Sequence, residues 1–231
     1  MATTTFFDLC EQLVEDAGIS GVFTSVVGQT GEFKRVVNWI IRATTSVEGK
    51  WFDWDFLHVF HTFDTVIDTS DYPAPPDHNL WDNAETAKIP AEAVILDYTM
   101  WTRRKKDPSL PVSGDPWEYT VLPSKALRLY NTPVSIKTIN IEYWKRPTIL
   151  VDNGDEPAVP VQFRDIIVAQ ALVYYANYES ADEAKTQAIE EYQDRMRQLE
   201  SHSAPSMQAK DSIHTGADIQ VVADSDITGY Y

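Results

Sequence analysis

Residues 28–44 read GQTGEFKRVVNWIIRAT, and this stretch decides how the rest of the chain is interpreted. Its mostly apolar positions recur at intervals of three and four, which places them on one face of an α-helix. They are Phe33, Val36, Val37, Ile40, Ile41 and Thr44. The preceding Gly28-Gln-Thr-Gly31 segment lacks the lysine of a phosphate-binding loop, because Glu32 stands in its place. We therefore interpret the glycines as a helix entry.

A similar stripe precedes this helix, so the two predict a helical hairpin. Thr5 and Asp8 form a capping-box pattern at its start, and Gly18 is a stop signal. The stripe consists of Phe6, Leu9, Cys10, Leu13, Val14 and Ala17.

Two more helical stripes lie near the other end of the chain. The third helix carries Phe163, Ile166, Ile167, Ala171, Tyr174 and Tyr178, and the fourth carries Ala184, Ala188, Tyr192, Met196 and Leu199. Ser180-Ala-Asp-Glu183 predicts a capping box for the fourth helix. Two helices at each end of the chain should therefore pack together across a long insertion.

The insertion is rich in β-branched and aromatic residues that partly alternate, which is typical of strands. Strands are predicted at residues 56–67, 117–122, 126–130 and 137–144, with a short helix around 91–105. The predicted fold class is α+β, mainly α. It consists of a four-helix platform with an inserted small antiparallel β module and an extended C-terminal tail. The predicted segments are 1–50, 51–156, 157–201 and 202–231.

The chain has 231 residues with 19 basic and 35 acidic side chains, a formal charge of −16. Residues 1–100 carry 16 acidic and 5 basic side chains, a balance of −11. This excess argues against a protein that clamps DNA phosphates with Lys and Arg. With no long apolar run and no basic segment at the start, we expect no membrane association and a soluble protein made in the cytoplasm.

Catalytic and metal-binding patterns are weak, so we predict no enzyme, no cofactor and no metal. Cys10 lies on a helical stripe and is interpreted as a buried structural thiol. His58 and His61 should point to opposite faces of a strand, and no Cys or acid-rich helix nearby completes a metal set.

Asp53 and Asp55, among Trp51, Trp54 and Phe56, support a second hypothesis, a glycan-binding or glycan-cleaving module. Aromatic packing at a helix-to-strand junction is the favoured interpretation.

Several segments of the sequence resemble those of the head-to-tail adaptor proteins of tailed bacteriophages, which are also called connector or head completion proteins. The resemblance covers residues 5 to about 200, and its strongest part is the Gly28–Glu32 helix entry followed by Trp51-Phe-Asp-Trp-Asp-Phe-Leu57. The matching segments are residues 9–21, 27–40, 51–57, 114–119, 141–147, 156–163 and 171–179.

This resemblance implies a structural virion protein of the neck that forms a ring, of twelve copies, beneath the portal. Its implied partners are the portal protein, neighbouring copies and tail or nozzle proteins, with tail fibres as a further candidate. DNA would pass through the channel without specific binding during ejection. Another neck or tail-tube role is the alternative within the structural class.

The resemblance also suggests roles for two segments that periodicity leaves open. The residues after about Ser201 lack helical periodicity and are interpreted either as an extension that orders on a partner or as a disordered terminus. As a portal-binding extension, its anchors would be Ile213, Ile219, Val221, Val222, Ile227, Tyr230 and Tyr231. The basic run Arg103, Arg104, Lys105 and Lys106 suits a solvated helix end and is kept as a candidate contact with a neighbouring subunit.

Overall fold

The computed structural model describes residues 4–82, 94–95, 113–116 and 118–203. Within these ranges the chain is α+β and mainly α, which confirms the predicted fold class. The α-helices of the described residues are α1 (Phe6–Asp16), α2 (Gly31–Glu48), α3 (Asp165–Glu179) and α4 (Asp182–Ser203). We call these four helices the platform.

Helix α1 begins and ends where the sequence predicts. The Thr5 hydroxyl accepts a hydrogen bond from the Asp8 backbone N–H at 3.3 Å, and the Asp8 carboxylate accepts one from the Thr5 N–H at 2.7 Å. This capping box satisfies two donors that the first turn leaves unpaired. Gly18 follows the last turn with φ +65°, a conformation that favours glycine.

Helix α2 buries a wider face than its predicted stripe. Val36 and Ile40 are fully buried as expected, and Trp39, Ala43 and Val47 are buried as well. The wider face follows from packing, because α2 contacts α1 and also α3. Gly31, where α2 begins, has φ +60°, so the glycine-rich segment forms the helix entry that we predicted.

Helix α3 is the central helix of the platform and contacts the other three. The predicted capping box for α4 is wrong, because Ser180 ends α3 instead of starting α4. Its left-handed conformation (φ 55°, ψ 34°) reverses the chain, and α4 begins at Asp182 after a single intervening residue. So short a connection requires the left-handed residue at its first position. Helix α4 extends to Ser203, two residues past the predicted boundary at 201.

The inserted residues form two β-sheets, which we call the β module. One sheet has the order β1 (His58–Asp64), β7 (Thr138–Lys145), β3 (His78–Trp81), and all its pairs are antiparallel. The other has the order β2 (Asp71–Tyr72), β6 (Leu127–Tyr130), β5 (Glu118–Val121), β4 (Val94–Ile95). The inward side chains of the two sheets form a second core, which consists of Tyr72, Trp81, Tyr119, Leu127, Leu129, Ile139, Ile141 and Tyr143.

The β module differs from the prediction in two respects. The pair β4–β5 is parallel, whereas the module was predicted to be antiparallel. Val94 and Ile95 form a strand within the range predicted as a helix at 91–105, and the rest of that range lies outside the described residues. Both residues are β-branched, so pairing with β5 suits them better than a helix does.

Candidate interaction surfaces

Two buried charged side chains fix the point where the β module joins the platform. Glu48, the last residue of α2, is fully buried, and its carboxylate accepts hydrogen bonds from the backbone N–H groups of Thr148 (2.5 Å) and Ala158 (2.7 Å). Burial raises the pKa of the Glu48 carboxyl, while these hydrogen bonds oppose the rise. Glu48 thus holds the chain that returns from the module against the helix that leads into it.

Arg164 makes the second connection. Its guanidinium donates to the carbonyls of Val159 (3.0 Å), Pro157 (3.0 Å) and Thr4 (2.6 Å), and it pairs with the Glu156 carboxylate at 3.0 Å. The side chain is only 7% exposed. One residue therefore joins the start of the chain to the segment that leads into α3.

Neither Glu48 nor Arg164 is among the residues predicted to have a role, although the sequence contains a signal for both. An acid at a helix C-terminus and a base at a helix N-terminus both oppose the helix dipole. Glu48 and Arg164 occupy these unfavourable positions, at the end of α2 and immediately before α3. Such misplaced charges indicate specific partners elsewhere in the fold.

Exposed apolar side chains form a patch at the distal end of the β module. The patch consists of Val66, Ile67, Val134 and Ile136, each more than half exposed. They lie on two adjacent loops, which are joined by hydrogen bonds from the Thr65 N–H to the Lys137 carbonyl (2.8 Å) and from the Asp68 N–H to the Pro133 carbonyl (3.0 Å). We call this patch the β tip. Four exposed branched side chains on hydrogen-bonded loops suit a protein contact better than solvent.

A second exposed apolar region lies on the platform. It consists of Val22, Val27, Ile149 and Val151, which are also more than half exposed. The Asn153 side chain joins the two loops that carry them, since its Oδ1 atom accepts a hydrogen bond from the Val26 N–H at 2.7 Å. We call this region the loop edge.

The first part of the module, from residue 51 to residue 82, carries acidic side chains and no basic ones, whereas the basic side chains of the described module lie on its later strands and loops. No Lys or Arg occurs between residues 51 and 87. The aspartates at positions 55, 64, 68, 71 and 77 are exposed. Of these, Asp64 and Asp68 flank the β tip, and Lys137 flanks it from the second loop, so that patch is apolar with a charged rim of both signs.

The aromatic junction after α2 is structural and does not form a sugar-binding cleft. Trp54 is fully buried in the platform core, and Asp53 is only 4% exposed. Asp55 is exposed, so the two carboxylates do not line one surface cleft. Trp51 donates its indole N–H to Glu200 at 3.0 Å, which attaches the junction to α4. The glycan hypothesis therefore finds no support in this geometry.

Of the other candidate residues, Cys10 is buried, and the remaining ones lie outside the residues that the structure describes. Cys10 is buried, as predicted, and burial raises the pKa of its thiol. The basic run Arg103–Lys106 and the seven tail anchors from Ile213 to Tyr231 lie outside the described residues. In the part of the chain that the structure covers, each helix is too short or too polar to cross a membrane.

Two exposed apolar regions on a helical platform with a β module are typical of a protein that assembles with partners. A family model for SU10 adaptor protein matches residues 4–215. The chain therefore belongs to the SU10 adaptor protein family, a family of phage head-to-tail adaptors, as the sequence resemblance predicted. Adaptors of this family are structural proteins of the virion. No curated protein sequence matches the chain.

Proposed function

We propose that this protein forms a ring of twelve copies beneath the portal and connects the capsid to the tail. The observation that carries this proposal is the family match, which spans the platform, the β module and the start of the C-terminal tail. On this proposal the protein is made in the host cytoplasm and enters the virion neck after the portal is in place. It contacts the portal on one side and tail or nozzle proteins on the other, with tail fibres as a further partner.

The two exposed apolar regions support the ring. Neighbours in a closed ring meet through two different surfaces, because each copy contacts one neighbour with one side and the next neighbour with the other. The β tip and the loop edge supply two such surfaces on separate parts of the fold. The basic run at Arg103–Lys106 supplies a complement to the acidic module of a neighbouring copy.

We assign portal binding to the C-terminal tail. Helix α4 ends at Ser203, which is buried, so the tail leaves the platform from an anchored position. Beyond it, Ile213, Ile219, Val221, Val222, Ile227, Tyr230 and Tyr231 are the proposed anchors, spaced among aspartates. A segment with too few apolar residues to form its own core gains order when a partner supplies one.

Native mass measurement of full-length protein mixed with portal rings tests the ring and the tail together. We expect twelve copies per portal ring, and we expect binding to be lost when residues 204–231 are deleted. The paired substitution Ile219→Ser and Val221→Ser should weaken binding at least tenfold, while Gln220→Ser between them should not. Undiminished binding after the deletion would refute the role of the tail, and rings that form without portal would favour a tail-tube or other neck role.

The charge of the protein gives a separate test. An acidic channel repels DNA, so DNA slides through it instead of being held. We expect no measurable affinity for duplex DNA at any ionic strength, and we expect portal complexes to weaken as salt is raised. Both are measurable by fluorescence anisotropy, and tight DNA binding would contradict the proposed passage.

A further inference from the structure

Three metal-ligating side chains converge on the outer face of the first sheet. Because side chains alternate along a strand, His58 points away from the module core, whereas His61 points toward it. Glu142 lies on the central strand β7, and Asp82 directly follows β3. The Asp82 N–H donates to the Glu142 carbonyl at 2.9 Å, which fixes these two residues side by side. His58 and Glu142 therefore lie on two paired strands, and Asp82 lies directly after the third strand of the same sheet.

The distances between the ligand atoms match a metal site. His58 Nε2 lies 3.1 Å from Glu142 Oε2 and 3.5 Å from Asp82 Oδ2, and the three atoms all lie within 4.8 Å of one another. Zinc bonds to nitrogen and oxygen are about 2.0–2.1 Å, so two ligands of a tetrahedral zinc ion are about 3.3 Å apart. The two measured separations from Nε2 bracket that value.

The orientation of the imidazole provides the second observation. Within the described part of the chain, the buried Nε2 atom of His58 has no hydrogen-bond partner, although both carboxylates are within ion-pair distance. The nitrogen is thus close to two oxygens without the alignment that an N–H···O bond requires. In a metal site, an imidazole nitrogen also lies close to the other ligand atoms without donating a hydrogen bond to them, because its lone pair points at the metal ion.

We propose that His58, Asp82 and Glu142 bind one divalent transition-metal ion, with Zn²⁺ as the best fit. One imidazole and two carboxylates form a mixed nitrogen and oxygen set that suits zinc. Calcium prefers six to eight oxygen ligands, which this cluster does not supply. A fourth position is left for water, because the three side chains are only partly buried.

The surroundings of the cluster hold the ligands in place. The His58 ring lies 5.0 Å from the Trp144 ring, measured between centroids, and Trp144 packs against the platform core. Trp144 is the direct cross-strand partner of His58, and Phe60 is that of Glu142. Packing of this kind limits the rotamers of a ligand and so favours metal binding. A bound ion would cross-link β1, β7 and the end of β3.

Zinc titration of the full-length protein tests this site without any partner protein. We expect isothermal titration calorimetry to give about one Zn²⁺ per chain and the melting temperature to rise at saturating Zn²⁺. Mg²⁺ at the same concentration should produce neither effect. Glu142→Gln and Asp82→Asn keep the side-chain shapes, and each should weaken Zn²⁺ binding at least tenfold, as should His58→Asn.

Two variants serve as matched controls. His61→Asn removes an imidazole from the opposite face of the same strand, and Asp64→Asn removes an exposed carboxylate from the same face at the far end of β1. Both should retain Zn²⁺ affinity within about twofold. Absence of stoichiometric binding to the wild type would overturn the proposal, as would undiminished binding to Glu142→Gln and Asp82→Asn. If His58→Asn does not fold, these two isosteric variants decide the question.

Discussion

The helical platform and the β module use opposite means to hold their residues in place. In the platform, apolar stripes pack helix against helix, and two buried charged residues, Glu48 and Arg164, fasten the irregular segments to the helices. In the module, strands far apart in sequence pair directly, as β1 does with β7, and aromatic side chains fill the space between two sheets. Local periodicity therefore builds the platform, whereas long-range pairing builds the module.

The two regions also differ in what they present to their surroundings. The module presents the apolar β tip within a rim formed by Asp64, Asp68 and Lys137, whereas the platform presents the loop edge and the end of α4. In an adaptor that meets neighbours on several sides, such a division lets each region serve a different contact. Four substitutions and one measurement of pH dependence test this difference, and the substitutions run from the largest expected loss of stability to the smallest.

Arg164→Ala should destabilise the protein most, by about 4 kcal/mol, because it leaves three backbone carbonyls and Glu156 without their shared donor. Guanidinium denaturation followed by circular dichroism measures the loss. Arg197→Ala is the matched control, since that arginine is 74% exposed on α4 and should change stability by less than about 0.5 kcal/mol. If the two variants lowered the free energy of unfolding equally, the hydrogen bonds of Arg164 would not stabilise the fold as we expect.

Glu48→Ala should destabilise the protein by about 3 kcal/mol, because the part-buried N–H groups of Thr148 and Ala158 lose their acceptor and the buried side chain leaves a cavity. Urea denaturation at neutral pH measures the change. Glu190→Ala, at an exposed position of α4, is the control and should alter stability by less than about 0.5 kcal/mol.

The pH dependence of Glu48 has a definite sign. Burial raises the pKa of its carboxyl in the folded state, so the folded protein binds the proton at a higher pH than the unfolded chain. The contribution of this group is greatest below the unfolded pKa and decreases as pH rises through the folded pKa. Wild type should therefore lose stability relative to Glu48→Gln as pH rises above the ordinary glutamate pKa of about 4.3. The opposite slope would contradict the burial effect.

Trp81→Phe should destabilise the module by about 2 kcal/mol, through a lost hydrogen bond from the indole to the Lys125 carbonyl (2.8 Å) and a smaller buried ring. Near-ultraviolet circular dichroism and thermal melting measure this change. The helical far-ultraviolet signal should persist, because Trp81 belongs to the core of the module and not to that of the platform. Loss of the helical signal at 25 °C would show that the two regions depend on each other more than their separate cores suggest.

The paired substitution Ile67→Ser and Ile136→Ser in the β tip should change stability by less than about 0.5 kcal/mol, because both side chains are mostly exposed. The same variant should reduce ring assembly on the portal at least tenfold, measured as the mass of complex formed. Asp68→Asn is the control, since asparagine tolerates the positive φ at that position and the apolar surface is retained. Normal assembly of the double variant would exclude the β tip as a contact.

The sequence predicted much of the platform because helix periodicity and capping are local. The Thr5–Asp8 box and the α1 stripe agree with the structure, since their spacing requires only neighbouring residues. Ser180 was assigned to the wrong helix because its capping pattern competes with the chain reversal between α3 and α4. Val94 and Ile95 were placed in a helix because only their pairing with β5 distinguishes them as a strand.

The functional features likewise include some that follow from local sequence and others that depend on contacts between distant parts of the chain. Sequence patterns alone establish the helical stripes, the excess of acidic residues in the first hundred positions and the membership of an adaptor family. Only the tertiary structure brought Glu48 to Thr148 and Ala158, and His58 to Asp82 and Glu142. The reason is physical: a helix spaces its side chains by its own geometry, whereas groups separated by 24 to 110 residues meet only when the chain between them has folded.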